Sequence, residues 1–314
     1  MQVAVLLTGA LRTIRKTIRY LKQNVLLPTG AKVFACCQND TDQSNEEWAS
    51  WLANEIGPFL QAIQWFDPGD PLWCAVRERQ LSCMQIGAST QHYLRTSGSM
   101  IEYYQLQLAY AAMTQCEFQS ECKYEYIVRV RTDTIFAHPV DFHWLHWTEQ
   151  EVADRVALLK QQAPTATDQD ITTLFMSSLL SDASLCNVAN FTGSYLPSRD
   201  PLPLVSDLRR YLSMGAYILT FRKNLLYIAR RDLFHLIPAL GTMFGLVTSP
   251  STNHHFRWNA ESQFQAACYH SNLAIFDYCT VLEDQSLYSY EEQRYFDADG
   301  NLVSPLILFC LVRK

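Results

Sequence analysis

Absences narrow the field first. The 314-residue chain has no C-x-x-C pair, and its ten cysteines, at 36, 37, 74, 83, 116, 122, 186, 268, 279 and 310, follow no ladder of spacings. That pattern gives little support to a zinc cluster or a disulfide scaffold. Several cysteines sit in apolar runs such as Phe34 to Cys37 and Leu306 to Leu311. A reduced thiol there behaves as a small buried hydrophobe, so a reducing, cytoplasmic setting is expected. Positive charge is not in excess: 25 Lys and Arg against 31 Asp and Glu leave a formal net charge of -6. This argues against general affinity for nucleic acid or acidic membranes. The N-terminus, MQVAVLLTGALRTIRK, offers an apolar run of only about five or six residues, too short for a spanning helix or a signal-peptide core. G-x-G-x-x-G, P-loop and G-x-S-x-G motifs are missing, which weakens oxidoreductase, methyltransferase, kinase and hydrolase readings. No internal repeat or low-complexity linker divides the chain.

What is present reads as one globular α/β domain over residues 1–314. Hydrophobic residues make up 48% and charged ones 18%, enough to bury a substantial core. Val3 to Leu7 is a continuous apolar run ending at Thr8-Gly9, followed by Leu11, Ile14, Ile18 and Leu21 at helical spacing. A strand that is apolar throughout, and not alternating, is covered on both faces, as in a parallel sheet. Lys32 to Cys37 repeats the pattern, Trp48 to Ile56 reads as an amphipathic helix, and Ala62 to Phe66 reads as a third strand stopped by Asp67-Pro-Gly-Asp-Pro71. Ser99-Met-Ile-Glu102 has capping-box spacing before a helical face through Ile101, Tyr104, Leu108 and Ala112. Tyr124 to Phe136, YEYIVRVRTDTIF, predicts a central strand ending near Arg131. Further on, Val156 to Lys160 reads as a short strand, Met214 to Thr220 as strand, Asn224 to Leu236 as helix and Leu273 to Tyr278 as a late strand.

In a mainly parallel sheet, ligands bind beyond the carboxyl ends of the strands, and two polar clusters fall there. The first is Thr8-Gly9-Ala10-Leu11-Arg12: the glycine permits close backbone approach and the guanidinium matches phosphate bidentately. The same residues also make an ordinary strand-to-helix turn. The second is Arg129-Val-Arg131-Thr-Asp133, where alternation puts two cations and a carboxylate on one side of an otherwise apolar strand. Burying those charges requires partners, supplied either by a structural network or by a phosphate with a divalent cation. Asp133 suits Mg²⁺ or Mn²⁺, hard ions that prefer carboxylate and diphosphate oxygens. His254-His255 suits a loop pair better than a shared metal site, and Phe142, Trp144 and Trp147 fit sugar stacking and helix packing equally well.

In order along the chain, Thr8-Gly9-Ala-Leu-Arg12, Gln105, Tyr124-Glu-Tyr-Ile-Val-Arg129-Val-Arg131-Thr-Asp133, Asp207 and Glu261 in Trp258-Asn-Ala-Glu-Ser-Gln-Phe264 resemble a family pattern. That family is the GT-A-type glycosyltransferases of polysaccharide biosynthesis found in bacteria and large DNA viruses. The resemblance implies a GT-A-like, mainly parallel twisted sheet flanked by helices, with residues 1–136 as the nucleotide-binding half and 137–314 as the acceptor-side half. It implies transfer of a sugar from a UDP or GDP nucleotide-sugar donor to a glycan or other hydroxyl acceptor, in the host cytoplasm if the source is viral. Thr8, Gly9, Arg12, Arg129 and Arg131 would hold the donor and Asp133 a divalent cation. Asp207 and Glu261 would be the catalytic carboxylates, although each also suits a helix cap or helix start. Arg131 stands where a full D-x-D motif has an acid, which bears directly on metal dependence. The alternative is a non-catalytic carbohydrate- or partner-binding domain of the same fold.

Overall fold

The computed structural model describes residues 2–84, 86–136, 139, 149–168, 170–171, 191–196, 217–221, 226–245, 260–271, 274–280 and 309–311. Strand β1 (Val3–Ala10) shows why its sequence is apolar without alternation. Val3, Val5 and Leu7 enter one hydrophobic cluster, Ala4 and Leu6 the other, and all are at most 2% exposed. Each face of the sheet therefore needs its own covering layer.

The helices supply both layers. Helix α1 (Ile14–Leu21) runs through a π-helical turn at Lys22–Leu26 into the short α2 (Leu27–Thr29), and strand β2 (Lys32–Gln38) follows. Helix α3 (Asn45–Ile56) starts at a capping box in which Ser44 Oγ accepts from the Glu47 amide and the Glu47 carboxylate accepts from the Ser44 amide. Strand β3 (Leu60–Phe66) then ends at the expected proline-rich turn. Helices α4 (Pro71–Cys83), α5 (Ala88–Thr96) and α6 (Ser99–Ser120) precede strand β4 (Tyr126–Arg131) and the short β5 (Thr134–Phe136). Helix α7 (Glu149–Gln162) follows. Residues of α1, α3 and α7 pack on the face of Val5 and Leu7; residues of α4 and α6 pack on the face of Leu6.

The described strands complete an eight-stranded sheet with β6 (Phe191–Leu196), β7 (Tyr217–Phe221), β8 (Leu226–Arg230) and β9 (Ala274–Thr280), in the order β3-β2-β1-β4-β8-β7-β9-β6. Strands β3, β2, β1 and β4 are mutually parallel; β8 is antiparallel to β4 and β7, and β6 is antiparallel to β9. With β7 parallel to β9, six strands share one direction and the sheet is mainly parallel, as expected. Strand β10 (Phe309–Leu311) pairs with β5 separately. Short helices at Arg231–Phe234 and Leu240–Met243 and a longer one at Ala260–His270 complete the described elements.

Two segments differ from the sequence reading. Val156 to Lys160 is helical, inside α7: Val152, Val156 and Leu159 are buried at a helical repeat while Leu158 is 40% exposed. The short apolar run concealed that longer period. Asn224 to Leu236 is not one helix, because Leu226–Arg230 pairs with both β4 and β7. Tyr227, Ile228 and Ala229 are all buried, so sheet pairing overrides the local helical pattern.

The free cysteines among the described residues, at 36, 37, 74, 83, 116, 122 and 268, fit reduced thiols. Burial pushes Cys36 up to about 12, which makes it a packing residue. No described helix is long and apolar enough to cross a membrane.

Gly9, at the edge where the polar clusters meet, is fixed by sterics. Gly9 has φ +134, and a Cβ there would meet Thr132 Oγ1 at 2.5 Å. The Gly9→Ala variant should lose about 2–4 kcal/mol of unfolding free energy, measurable by urea denaturation.

Candidate active site

The parallel pairing of β1 with β4 sets Leu6 opposite Arg129 and Thr8 opposite Arg131, so both polar clusters end at the same edge. The chain crosses between them: the Thr132 amide donates to the Thr8 carbonyl at 3.0 Å, and Thr132 Oγ1 donates to the Ala10 carbonyl at 2.6 Å. A cavity of about 230 Å³ opens there, lined by Thr8, Gly9, Ala10, Arg12, Thr13, Gln38, Gly98, Ile101, Glu102, Gln105, Arg129, Arg131, Thr132 and Asp133. Six sequence-predicted residues, Thr8, Gly9, Arg12, Arg129, Arg131 and Asp133, thus converge on one cavity.

Their charges are arranged in pairs. Arg129, 2% exposed, meets Glu102 Oε1 at 2.9 Å and donates through Nε to Thr8 Oγ1 at 3.3 Å. Its guanidinium carbon also lies 5.4 Å from the Tyr227 ring centroid. Tyr103 and Tyr227 continue the network, with hydroxyls 3.3 Å apart and Tyr103 donating to the Ala260 carbonyl at 2.7 Å. Burial holds both phenols well above their ordinary range. Arg131 forms a fork with Asp133, Nε to Oδ1 at 2.9 Å and Nη2 to Oδ2 at 2.8 Å. Burial pulls the Arg131 guanidinium down, but the charges of Asp133 and Glu102 outweigh it and keep its pKa raised.

Arg12 differs from these. Its backbone amide donates to Asp40 Oδ1 at 3.1 Å, yet its exposed guanidinium makes no hydrogen bond or ion pair among the described residues. Gln105 is 3% exposed and forms no hydrogen bond among them either, while the Thr13 hydroxyl is buried without a partner. Leaving a buried polar group unpaired costs about 1–3 kcal/mol, which a ligand's polar atoms would recover.

A divalent cation fits this donor set poorly. Both Asp133 oxygens are engaged by Arg131, and no group of three or more His, Cys, Asp or Glu is placed to hold a metal among the described residues. Glu261 begins the Ala260–His270 helix and does not line the cavity, although its charge reaches Glu102. Asp207, His254-His255 and the aromatic cluster of Phe142, Trp144 and Trp147 lie outside the described residues.

Glu102 is the charged residue that sequence reasoning misassigned. Helix α6 starts after Gly98 with no side-chain cap, and Glu102 turns inward to Arg129, where capping would have kept it at the helix end. The available signal was its i, i+3 spacing with Gln105 on the buried stripe of the first turns of α6. Burial pushes the Glu102 carboxyl up against the opposing charges of Arg129 and Arg131, with Glu261 and Asp133 adding to the rise.

No protein-family model matches the chain. No curated protein matches it either. Solved structures resembling its fold include mouse xyloside xylosyltransferase 1 in its apo form, at a TM-score of 0.31 and 8% identity, covering 87% of this chain and 82% of that one. The mannosyltransferase Ktr4p from S. cerevisiae gives a TM-score of 0.33 and 12% identity over 84% of this chain and 65% of that one. Its complex with GDP gives 0.31 and 12% over 84% and 66%. The chain thus spans just under two thirds of the mannosyltransferase. The likeness is to glycosyltransferases, at a distance that assigns no residue a role.

Removing Arg129 would strand the Glu102 charge. Arg129→Met should cost about 3 kcal/mol in urea denaturation, near the low end for a broken buried pair because the Glu102 side chain stays 15% exposed. Glu102 has a raised folded-state pKa, so its contribution is fully present below the ordinary glutamate range and is lost as pH rises through the folded value. The difference in unfolding free energy between wild type and Glu102→Gln should therefore shift towards the glutamine variant with rising pH. Denaturation at a series of pH values measures it.

Proposed function

We propose that the chain is a glycosyltransferase that moves a sugar from a nucleoside-diphosphate sugar to a glycan or other hydroxyl acceptor. The observation that carries this reading is a guanidinium, Arg12, that has no partner among the described residues and shares a strand-end cavity with the buried Gln105, likewise without a hydrogen bond among them, and with the close-approach backbone of Gly9. Such a cavity suits a ligand that combines phosphate oxygens with neutral hydrogen-bonding groups. The described residues that line the cavity lie between Thr8 and Asp133, which supports residues 1–136 as the donor-binding half, with the acceptor assigned to 137–314. At about 230 Å³ it is smaller than the roughly 300–1,000 Å³ of pockets that enclose a whole ligand, so it suits the diphosphate and its immediate flanks.

In the proposed reaction the anomeric C–O bond to the diphosphate breaks and its electron pair leaves with the diphosphate oxygen. The acceptor hydroxyl oxygen forms the new C–O bond and gives its proton to a carboxylate. Asp207 and Glu261 are the proposed bases. Fixed positive charge beside the departing diphosphate stabilises the transition state without reorganising. Arg129, anchored between Glu102, Thr8 and Tyr227, acts as a positioning residue for the β4 end.

One observation favours a second reading. The two carboxylates that line the described cavity, Glu102 and Asp133, are both ion-paired, as suits a carbohydrate-binding domain that performs no chemistry. Incubation with a panel of UDP- and GDP-sugars and mixed glycan acceptors, followed by mass spectrometry, separates the two. Release of nucleoside diphosphate together with a glycosylated product is expected. Glycan binding with neither donor hydrolysis nor product would favour the non-catalytic reading.

A further inference from the structure

Among the described residues, three cations and two carboxylates line the cavity: Arg12, Arg129 and Arg131 against Glu102 and Asp133. Arg129 meets Glu102 at 2.9 Å and Arg131 meets Asp133 at 2.8 Å, so two cations are matched and one, Arg12, is in excess. We infer that the site takes the diphosphate of its ligand on guanidinium charge, Arg12 foremost, without a divalent cation bridged through Asp133. This rests on the nucleotide-sugar reading above and goes beyond it in stating how the charge is met.

The donor chemistry drives the inference. Mg²⁺ and Mn²⁺ are usually held by carboxylates together with phosphate oxygens. Here an ion at Asp133 would share its carboxylate with a two-point fork from Arg131, whose positive charge opposes the ion's. A guanidinium needs no carboxylate. Its planar fork matches two phosphate oxygens at once, and Arg12 is placed to offer it: the backbone is tied to Asp40 while the side chain remains uncommitted among the described residues. Arg131 lines the same cavity, 23% exposed in its side chain and held in a fixed orientation by its fork with Asp133. Gln105 provides an independent sign that the cavity is built for a ligand, since it is 97% buried by its 3% exposure, lines the cavity and has no internal partner among the described residues. Gly9 lets ligand oxygens approach the backbone where a side chain would collide with Thr132.

Isothermal titration calorimetry of the full chain with GDP and UDP, in excess EDTA and again with Mn²⁺, tests this on wild type, Arg12→Ala and Arg12→Lys. Wild-type affinity in EDTA should lie within about threefold of that in Mn²⁺, Arg12→Ala should bind about 10- to 100-fold more weakly, and Arg12→Lys should fall between them. Because Arg12 is exposed, melting curves of the variants should overlay the wild type, which separates lost binding from lost folding. Binding seen only with Mn²⁺, or Arg12→Ala binding as tightly as wild type, overturns the inference and leaves the proposed function standing. Binding of neither nucleotide under either condition overturns both.

Discussion

A guanidinium at the centre of a parallel sheet has to be answered from the neighbouring layers, and in this protein Arg129 sets that demand. Strand β4 lies between β1 and β8 and Arg129 is only 2% exposed, so its charge is largely stripped of water. Helix α6 answers with Glu102, β1 with the Thr8 hydroxyl and β8 with the Tyr227 ring. Tyr227 in turn stacks on Phe264 at 4.6 Å between ring centroids, and Tyr103 ties α6 to the Ala260 carbonyl. One buried charge therefore joins three strands and two helices directly beneath the cavity. Such an ion pair adds little net stability, because desolvation consumes most of the Coulombic gain. Its effect is to fix which side chains face which.

Much of this half of the molecule was legible in the sequence. The apolar runs of β1, β2 and β4 could be read because strands covered on both faces carry no competing polar pattern. The convergence of Thr8, Gly9 and Arg12 with Arg129, Arg131 and Asp133 followed from strand ends alone. What escaped were features decided by tertiary partners. Leu226–Arg230 became a strand because β4 and β7 lay on either side of it, and Val156 to Lys160 became helix because its period extended beyond the apolar run. Glu102 matched a capping pattern in every local respect, and only the position of Arg129 across the layer decided otherwise. Asp207 lies outside the described residues, and Glu261 is not among the described residues that line the cavity.

The departure from a paired-acid motif has a structural meaning. Where a D-x-D motif has its first acid this chain has Arg131, and that arginine turns back on the acid two residues later. The substitution removes one potential metal ligand and engages the other. Among the described residues the cavity consequently carries a small positive excess on Arg12, with Arg129 and Arg131 each paired to a carboxylate.

Gly9 and Thr132 occupy each other's space so closely that not one methyl group could be inserted between them. Thr132 is further fastened by hydrogen bonds to Thr8, Ala10 and Thr17, the last through its carbonyl. The turn after β1 and the turn after β4 are thus locked together, and neither can swing without carrying the other. A ligand settling on such a floor finds it already ordered, so its binding energy is not drained into freezing loops, and selectivity among ligands must come from the walls that remain free to differ.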